Sequence, residues 1–313
     1  MKGVVVKTTG NLHWIEGEDL KEYICVLKGK YRLDEHQLTN PIAVGDHVAF
    51  EWNEEKQKGV ITQIYPRKNY ILRKATKLSR RYHIIASNVD LALIFFTIKL
   101  PKVLPAFIDR LLVAVESFRI PAAIVFNKID LYDEDDQMEL SYWKDVYESI
   151  GYECIPVSAV THTGLKIVKE KMKNKVCVMT GNSGTGKSSL LKAIAPELQV
   201  RIGEISAQHL TGKHTTTFAQ MYRLSFGAHL IDTPGLRAFA PVDIEKQHLS
   251  HYFPEMRIYL NQCKFNDCRH INEPGCAVLA ALEEGKIAPS RYQSYLDLYF
   301  DDNNDPYRRD EYA

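Results

Sequence analysis

Residues 176–194 read VCVMTGNSGTGKSSLLKAI. The run 176–180 is mostly apolar and predicts a strand, and the run that begins at Ser189 has the period of a helix. Between them, residues 181–188 match the phosphate-loop pattern G-x-x-x-x-G-K-[ST], and a preceding strand with a following helix is the context in which such loops occur. This stretch therefore predicts an α/β domain that binds a phosphorylated ligand.

The residue types of this loop suit phosphate chemistry. Glycines allow backbone N–H groups to turn towards the phosphates, and the N-terminus of the following helix adds partial positive charge. Lys187 is predicted to reach the β- and γ-phosphates, and Ser188 to offer its hydroxyl to Mg²⁺. The predicted contacts are Gly181, Asn182, Ser183, Gly184, Thr185, Gly186, Lys187, Ser188 and Ser189. The loop alone does not distinguish ATP from GTP.

A second motif selects the base. Asn127-Lys128-Ile129-Asp130 follows a predicted strand and resembles the guanine-reading N-K-x-D sequence of GTPases. The Asp130 carboxylate can accept hydrogen bonds from the guanine N1–H and 2-amino group, which adenine lacks, and such mismatches can give discrimination of about 10⁴. Ser158 and Ala159 follow another predicted strand and resemble the S-A element that supports guanine recognition.

Two further segments complete the nucleotide motifs. Asp232-Thr233-Pro234-Gly235 resembles the D-x-x-G switch, in which Asp232 would hold Mg²⁺ through water and the Gly235 N–H would sense the γ-phosphate. Of the three threonines at 215–217, Thr216 is the one we expect to close onto Mg²⁺. Each short motif by itself is also compatible with a turn or a helix cap. Their joint occurrence at strand ends predicts a guanine-nucleotide site that uses Mg²⁺.

Predicted strands and helices alternate from residue 89 onward, which indicates βαβ units and a parallel sheet covered on both faces. The strands are predicted at Leu91–Ile98, Ala122–Phe126, Cys154–Val157, Val176–Thr180 and His229–Ile231. The helices are predicted near Ala106–Phe118, Asp136–Ser149, Gly164–Lys173 and Lys187–Ala195. Standard GTPases place N-K-x-D and S-A last, whereas here they come first. We therefore interpret the domain as circularly permuted.

A separate motif near the C-terminus has metal-ligand chemistry. Cys263, Cys268, His270 and Cys276 supply three thiolates and one imidazole, which satisfy tetrahedral Zn²⁺ completely. We expect one structural zinc ion, because a segment of about 60 residues hardly builds a sufficient core alone. The other cysteines, Cys25, Cys154 and Cys177, sit singly in apolar runs and are expected to be buried. His248 and His251 are not expected to be ligands.

The first 70 residues read as short strands with turn signals, such as Gly3–Thr8, Tyr23–Leu27, Gly45–Trp52 and Gly59–Tyr65, and fit a small barrel of about five strands. The connector that follows, residues 66–88, contains no acidic residue. It is compatible with a solvated linker and equally with a strip that contacts RNA phosphates. Its seven cations are Arg67, Lys68, Arg73, Lys74, Lys77, Arg80 and Arg81.

Together, these motifs and their order resemble the bacterial family of ribosome small subunit-dependent GTPases. The resemblance covers essentially the whole chain. It implies an N-terminal OB-fold at 1–70, a circularly permuted P-loop GTPase domain at 71–240, and a mostly helical zinc-binding domain with a polar tail at 241–313. It also implies binding of GTP and GDP, contacts with the small subunit and its rRNA, stimulation by that subunit late in its maturation, and the release of other assembly factors.

The residues that activate water are less clear in the sequence. Many small GTPases place a water-orienting glutamine directly after D-x-x-G, but this chain has Leu236, so we expect slow hydrolysis without a partner. His214 is the internal candidate for orienting water, which the resemblance supports, and an exposed loop residue is the alternative. A GTP-binding RNA scaffold with little turnover, and a GTPase that acts on tRNA or a membrane system, remain competing interpretations.

Composition limits the remaining choices. The chain has 313 residues, 25% charged and 45% hydrophobic, with a net charge of +1, which excludes a disordered chain and a uniformly basic nucleic-acid coat. Residues 1–81 nevertheless contain 15 basic and 10 acidic residues, a net charge of +5. No signal peptide or membrane-spanning run is expected, so the sequence predicts a cytoplasmic monomer without a membrane partner.

Overall fold

The computed structural model describes residues 1–28, 40–74, 82–198, 219–232 and 244–301, without the side chains of Arg73, Lys74 and Asp232. The described strands are β1 (Lys2–Thr9), β2 (Leu12–Gly17), β3 (Glu22–Leu27), β4 (His47–Asn53), β5 (Lys58–Ile64), β6 (Tyr70–Lys74), β7 (Tyr82–Ser87), β8 (Leu91–Phe96), β9 (Ala122–Asn127), β10 (Glu153–Val157), β11 (Val176–Thr180), β12 (Gln220–Arg223) and β13 (His229–Asp232). The α-helices are α1 (Pro105–Ser117), α2 (Glu134–Glu148), α3 (Leu165–Met172), α4 (Lys187–Ile194), α5 (Pro254–Arg257), α6 (Ala277–Glu283) and α7 (Pro289–Phe300).

The chain divides into two compact units, each built from several segments. The first unit takes its described residues from Met1–Leu93, Leu165–Thr180 and Lys187–Ala238. The second takes them from Ile94–Gly164, Gly181–Gly186 and Phe239–Ala313. Each unit is described by itself.

A closed ring of five strands begins the first unit. β1 pairs with β2, β2 with β3, β3 with β5, β5 with β4, and β4 with β1. Only the β3–β5 pair is parallel. In β3 alternate side chains are buried, as expected of a strand with one face on a core. The enclosed core includes Val5, Ile15, Cys25, Phe50 and Ile61.

The predicted connector contains regular structure. β6 and β7 form an antiparallel pair, from Tyr70 opposite Ser87 to Lys74 opposite Tyr82. Ile71, Ile84 and Ala86 on this pair are buried. The described part of residues 66–88 is therefore a two-stranded sheet and not an unstructured linker. The sequence did not predict these two strands, because only a few apolar residues mark them and the surrounding residues are mostly positively charged.

The remaining strands of the first unit include one departure from the predicted parallel sheet. β11 and β13 are parallel, with Val178 opposite Ile231. β12 was not predicted, and it pairs antiparallel with β13, with Gln220 opposite Asp232. β12 was not recognisable in the sequence, because it is only four residues long and Gln220 and Arg223 interrupt any apolar run. Helix α3 buries Leu165, Val168 and Met172, which recur at the helical period along one face.

The second unit contains β9 and β10, which are parallel and place Asn127 opposite Val157. Helix α1 starts at Pro105, a residue that suits a first helical turn, and it buries residues on most of its circumference. Helix α2 is more polar, and its N-terminus carries a capping box in which Asp133 and Asp136 each accept a hydrogen bond from the other's backbone N–H. The predicted strands and helices of this part are confirmed to within about two residues at each end.

The C-terminal part of the second unit consists of short helices joined by loops. α5, α6 and α7 are accompanied by 3-10 helices at Lys246–Tyr252 and Leu260–Gln262. Their core contains Phe253, Met256, Val278, Ile287 and Tyr295, together with Val113 of α1. α1 is thus the element of the second unit on which this C-terminal part packs.

None of the helices in the described ranges is both long enough and apolar enough to span a lipid bilayer.

Candidate functional site

The N-K-x-D motif lies where β9 ends. Because β9 and β10 run parallel and in register, this motif and the S-A element after β10 emerge at the same edge of the sheet, where α/β proteins bind ligands. Asn127 is 1% exposed, and its Nδ2 donates to the carbonyl oxygen of Thr185 in the phosphate loop at 2.8 Å. This bond joins the predicted base-reading and phosphate-binding segments. Its Oδ1 is buried and has no hydrogen-bond partner among the described residues.

Lys128 and Asp130 differ in their surroundings. Lys128 has a φ of 66°, and its ammonium group donates to the carbonyl oxygen of Leu100. Asp130 lies in the 3-10 helix Ile129–Leu131 and is exposed, so its carboxylate is available to a ligand. The structure thus fixes the lysine and leaves the carboxylate that is predicted to read the base at the surface.

Tyr132 supports this motif and was not predicted as a site residue. Its hydroxyl donates to the carbonyl oxygen of Asn127 at 2.8 Å and accepts the Ile98 N–H at 2.9 Å. Burial raises the pKa of Tyr132 to about 12, so the phenol keeps its proton and remains a donor at neutral pH. Sequence reasoning missed it because Ile98 is 34 residues away and no motif marks the contact.

The phosphate loop has the backbone that its glycines predict. Gly181 and Gly186 have φ values of +140° and +88°, which L side chains rarely adopt. A β-carbon on Gly186 would lie 2.3 Å from Nδ2 of Asn127. Thr185 is fully buried, and its hydroxyl donates to the Asn182 carbonyl oxygen at 2.9 Å, which closes the loop on itself. Gly186 therefore fits both the turn and the approach of Asn127.

Most of the polar side chains of the phosphate loop are exposed. Ser183, Ser188 and Ser189 are exposed, and Lys187, the first residue of α4, is half-buried. Ser158 is different, because it is fully buried and its hydroxyl accepts the N–H groups of Val160 and Thr161 at 3.1 and 3.0 Å. The Ser158 side chain thus shapes the S-A turn, in which Ala159 is half-buried.

Most of the predicted switch residues fall outside the described part of the chain. Asp232 ends β13, and its backbone is placed but its side chain is not described. His214, Thr216, Gly235 and Leu236 also lie outside the described residues.

The cysteine–histidine motif forms a compact cluster. The ligand atoms of Cys263, Cys268, His270 and Cys276 all lie within 4.8 Å of one another. His270 Nδ1 is 3.6 Å from Cys263 Sγ and 3.4 Å from Cys276 Sγ. Zinc bonds of about 2.0 Å to nitrogen and 2.3 Å to sulfur at tetrahedral angles place these atoms about 3.5 Å apart. The donor set and its spacing therefore fit Zn²⁺.

The cluster's electrostatics also call for a cation. Burial raises the pKa of the Cys268 thiol to about 12 and also raises that of Cys276, which opposes formation of thiolates. Burial lowers the pKa of His270, which keeps the imidazole neutral and able to ligate. A divalent cation would supply the positive charge that stabilises three thiolates in this setting.

A second set of contacts holds the ligand loop. The Glu273 carboxylate accepts backbone N–H groups from Arg269 and Ile271, both at 2.9 Å, and from Asn272. Burial works to raise the pKa of Glu273, but these amides lower it to about 2. From α7, the Tyr292 hydroxyl donates to the His270 carbonyl oxygen at 2.7 Å. The loop that carries His270 is thus fixed independently of the metal ligands themselves.

Two of the seven connector cations are already paired in the first unit. Arg67 donates to both carboxylate oxygens of the fully buried Asp46, at 2.7 and 2.8 Å. Lys68 pairs with Asp90. The side chains of Arg73 and Lys74 are not described, and Lys77, Arg80 and Arg81 lie outside the described residues. The connector lacks acidic residues of its own, but Arg67 and Lys68 find carboxylates elsewhere in the chain.

A buried charge cluster in the second unit also escaped sequence reasoning. Arg291 of α7 is 1% exposed and donates to Asp109 of α1 and to Glu255 of α5, each at 2.7 Å. The Tyr147 hydroxyl donates to Asp109 at 2.9 Å, and the guanidinium lies 4.8 Å from the centre of the Phe253 ring. The sequence signal is weak, because Asp109 is one of three charged residues in α1, with Arg110 and Glu116. Arg291 lies 182 residues away from Asp109.

Comparison with known proteins agrees with this geometry. Residues 64–241 match the model of a family described as RsgA GTPase. The chain is 46% identical over 314 residues to a protein of Christiangramia forsetii named small ribosomal subunit biogenesis GTPase RsgA, with 100% of this chain and 99% of that protein covered. A protein of Flavobacterium psychrophilum with the same name is 46% identical over 317 residues, covering 100% of this chain and 96% of that protein.

Solved structures give the same result. The crystal structure of YjeQ from Thermotoga maritima superimposes with a TM-score of 0.79 at 36% identity, covering 96% of this chain and 97% of that chain. YloQ, described as a circularly permuted GTPase, superimposes with a TM-score of 0.75 at 28% identity, covering 95% and 93%. With N-K-x-D ahead of the phosphate loop, the chain belongs to the RsgA GTPase family and is a circularly permuted GTP hydrolase.

Proposed function

We propose that this GTPase is an assembly factor that binds the small ribosomal subunit late in its maturation and hydrolyses GTP with stimulation by that subunit. The observation that carries the proposal is the similarity over the full length to relatives named for small ribosomal subunit biogenesis. Other assembly factors are then partners whose release accompanies the GTPase cycle.

The N-terminal barrel supports an RNA contact. Its strand order, β1-β2-β3-β5-β4 with closure onto β1, supports the OB-fold that the resemblance implies, a fold that binds oligonucleotides on one face. Residues 1–81 carry a net charge of +5, which favours a polyanionic partner. Among the connector cations, Lys68, Arg73, Lys74, Lys77, Arg80 and Arg81 are proposed to contact rRNA phosphates. Arg67 is better placed to support the barrel, because its guanidinium is bound to Asp46.

The nucleotide roles follow from the motifs. Asp130 reads guanine, with Asn127, Lys128, Ser158 and Ala159 as its support. Residues 181–189 cradle the phosphates, and Lys187 stabilises the charge that spreads over the γ-phosphate during hydrolysis. Ser188 and Thr216 would hold the Mg²⁺ that accompanies GTP, and Asp232 would hold it through water; the ion would neutralise charge on the phosphates. Gly235 donates its N–H to the γ-phosphate.

Water activation rests on fewer groups. Leu236, which follows the switch motif, cannot hydrogen-bond a water molecule. His214 is proposed to orient the attacking water once the subunit has ordered the catalytic geometry. Slow turnover of the isolated protein and strong stimulation by the subunit follow from this arrangement, because positioning and charge stabilisation dominate phosphoryl transfer.

The metal cluster has a structural role in this proposal. Cys263, Cys268, His270 and Cys276 hold one Zn²⁺ with no open position for water, so the ion supplies folding free energy and no chemistry. The cross-link joins the loop before α6 to the 3-10 helix at Leu260–Gln262.

The experiment compares GTP turnover with and without purified small subunits. We expect slow basal hydrolysis and an increase of about 10³ when subunits are added, the lower end of known GTPase activation. Lys187→Ala should abolish both rates. Lys192→Ala, an exposed lysine on the same helix α4, is the matched control and should leave both unchanged.

Two outcomes contradict the proposal. If GTP binds to the chain but subunits leave turnover unchanged, a GTP-binding RNA scaffold becomes the better description, and Leu236 favours that alternative. If subunits neither bind nor stimulate while another RNA or a membrane does, the partner is wrong.

A further inference from the structure

The neutral middle of the chain contains two helical regions of opposite charge. Residues 82–296 hold 23 basic and 23 acidic residues. Within this range, residues 133–148, which contain α2, have seven acidic residues and one basic, a net charge of −6. Residues 164–175, which contain α3, have five lysines and one glutamate, a net charge of +4. The overall balance therefore hides a strongly basic helix in the GTPase part of the chain.

Three lysines, two in α3 and one directly after it, lie on one flank of the helix. Lys166, Lys169 and Lys173 are spaced three and four residues apart, which places them in one row. The helical hydrogen bonding extends to Lys173, whose N–H donates to the Lys169 carbonyl oxygen at 3.0 Å. At 1.5 Å per residue, the row is about 10 Å long. Lys166 and Lys173 are exposed, so the row faces solvent beside the buried face of the helix.

Among the described residues, few negative charges lie near this row of lysines. Within the ranges that the structure describes, Lys166, Lys169 and Lys173 take part in no ion pair closer than 4 Å. Lys169 lies 5.8 Å from the centre of the Phe226 ring. The pKa of Glu197 is lowered. Burial opposes this shift, whereas backbone hydrogen bonds and, less strongly, the charge of Lys169 favour it.

The acidic helix behaves differently. Lys99 contacts Asp133 and Asp136 at 2.6 and 2.7 Å, and Lys102 contacts Glu139 at 2.9 Å. Charges on α2 thus have partners within the chain. Like charges at the spacing of the α3 row destabilise a helix. An arrangement that costs stability and has no close carboxylate partner among the described residues suits an external polyanion.

We propose that the row Lys166–Lys169–Lys173 is a second RNA-binding surface, separate from the barrel and the connector, that contacts the phosphate backbone of rRNA. Lysines act as point charges and provide no bidentate fork, so they bind phosphates without the geometric selectivity of arginine. The contact is therefore expected to add affinity without sequence specificity. The inference rests on the proposed binding to the small subunit.

The test measures binding of the full chain to purified small subunits at several salt concentrations. For Lys166→Gln/Lys169→Gln/Lys173→Gln, we expect about tenfold weaker binding near 100 mM salt. The slope of log K against log salt should fall by about 2, because each lost phosphate contact removes about 0.7–0.9. Basal GTP turnover without subunits should remain unchanged, which also shows that the variant folds.

The matched control removes the same charge from lysines that have carboxylate partners. Lys102, Lys144 and Lys286 pair with Glu139, Glu148 and Glu284. The triple Gln variant at these positions should keep the wild-type slope. A second arm uses protein-free rRNA extracted from the subunit, for which the α3 variant should show the same reduction in slope.

Three results would overturn the inference. An unchanged slope in the α3 variant, with normal binding by the wild type, removes this surface alone. An effect on subunits that is absent with protein-free rRNA assigns the row to an acidic ribosomal protein. A wild-type chain that does not bind subunits at all refutes the proposed function and this inference with it.

Discussion

Gly186 leaves no space for a β-carbon. A methyl group there would lie 2.3 Å from the Asn127 amide nitrogen, and the residue's φ of +88° disfavours any L side chain. Gly186→Ala should therefore displace Asn127 and weaken binding of a fluorescent GDP analogue by at least about tenfold. Gly285→Ala is the matched control, since Gly285 has a φ of +72° but no heavy atom within 4 Å of the added carbon. Equal affinities for both variants would show that the Asn127 contact does not shape the site.

At the residue scale, predictability depended on how local the signal was. The residues of the phosphate loop follow one another in the sequence, and so do those of N-K-x-D. Gly186 and Asn127 could therefore each be recognised as part of a motif. The roles of Tyr132 and Arg67 were not, because their partners Ile98 and Asp46 lie 34 and 21 residues away and no spacing rule connects them. The residues predicted for the switch, His214 and Thr216 among them, remain predictions.

At the scale of elements, helices α1, α5 and α7 meet at one buried guanidinium. Replacing Arg291 with Met leaves the carboxylates of Asp109 and Glu255 buried without their cation. Removing one partner of a buried ion pair typically lowers the free energy of unfolding by about 3–5 kcal/mol. We expect a clearly lower urea midpoint for the second unit's transition. Neutralising both carboxylates as well, with Asp109→Asn and Glu255→Gln, should recover much of this loss.

The control for Arg291 is a surface ion pair in the same unit. Arg257 pairs with Glu116 at 3.3 Å, and its side chain is 53% exposed. Arg257→Met should cost less than about 1 kcal/mol, because exposed pairs are screened by water. Similar midpoints for the two variants would mean that the buried cluster contributes no more than a surface contact.

The sequence predicted most elements where periodicity was strong. Strands β8, β9, β10 and β11 were recognisable because they are nearly continuous apolar runs, as expected of strands buried on both faces. β6 and β7 were interpreted as a connector because positive charge dominates them, and β12 was too short to be recognised. Both cases involve a strand that pairs with its neighbour in the sequence, so the pairing is local and the weak apolar pattern is what hid it.

At the scale of the whole molecule, the metal cluster is expected to decide whether the C-terminal part is folded. Removal of zinc with a strong chelator should release one ion per chain and increase hydrogen exchange of amides in residues 259–300. The reason is that a short segment with a small core relies on its metal cross-link. Amides of the barrel, residues 1–65, serve as the internal control and should keep their protection. A chain purified without metal, or unchanged protection after chelation, would contradict a structural zinc site.

The circular order could be recognised without coordinates because each motif is tied to the end of its own strand. Charge totals were less informative. A net charge of +1 concealed a basic N-terminal region, and the balanced middle concealed the opposition between α2 and α3. The spacing of Lys166, Lys169 and Lys173 predicts a row along a helix, and the structure adds that Lys166 and Lys173 are exposed beside the buried face of that helix.

The pair formed by Asp46 and Arg67 has a consequence for how such a chain can change over generations. Asp46 also accepts the Ala43 N–H and the Ser87 hydroxyl, so four hydrogen bonds from three residues end on one buried carboxylate. Loss of Arg67 alone leaves the buried Asp46 carboxylate without its cation. Loss of Asp46 alone leaves several hydrogen-bond donors without their acceptor. Substitutions at these two positions should therefore be epistatic. Replacing both should cost less than the sum of the two single replacements, but the Ala43 N–H and the Ser87 hydroxyl still lose their acceptor whenever Asp46 is replaced, so descendants are expected to keep both residues.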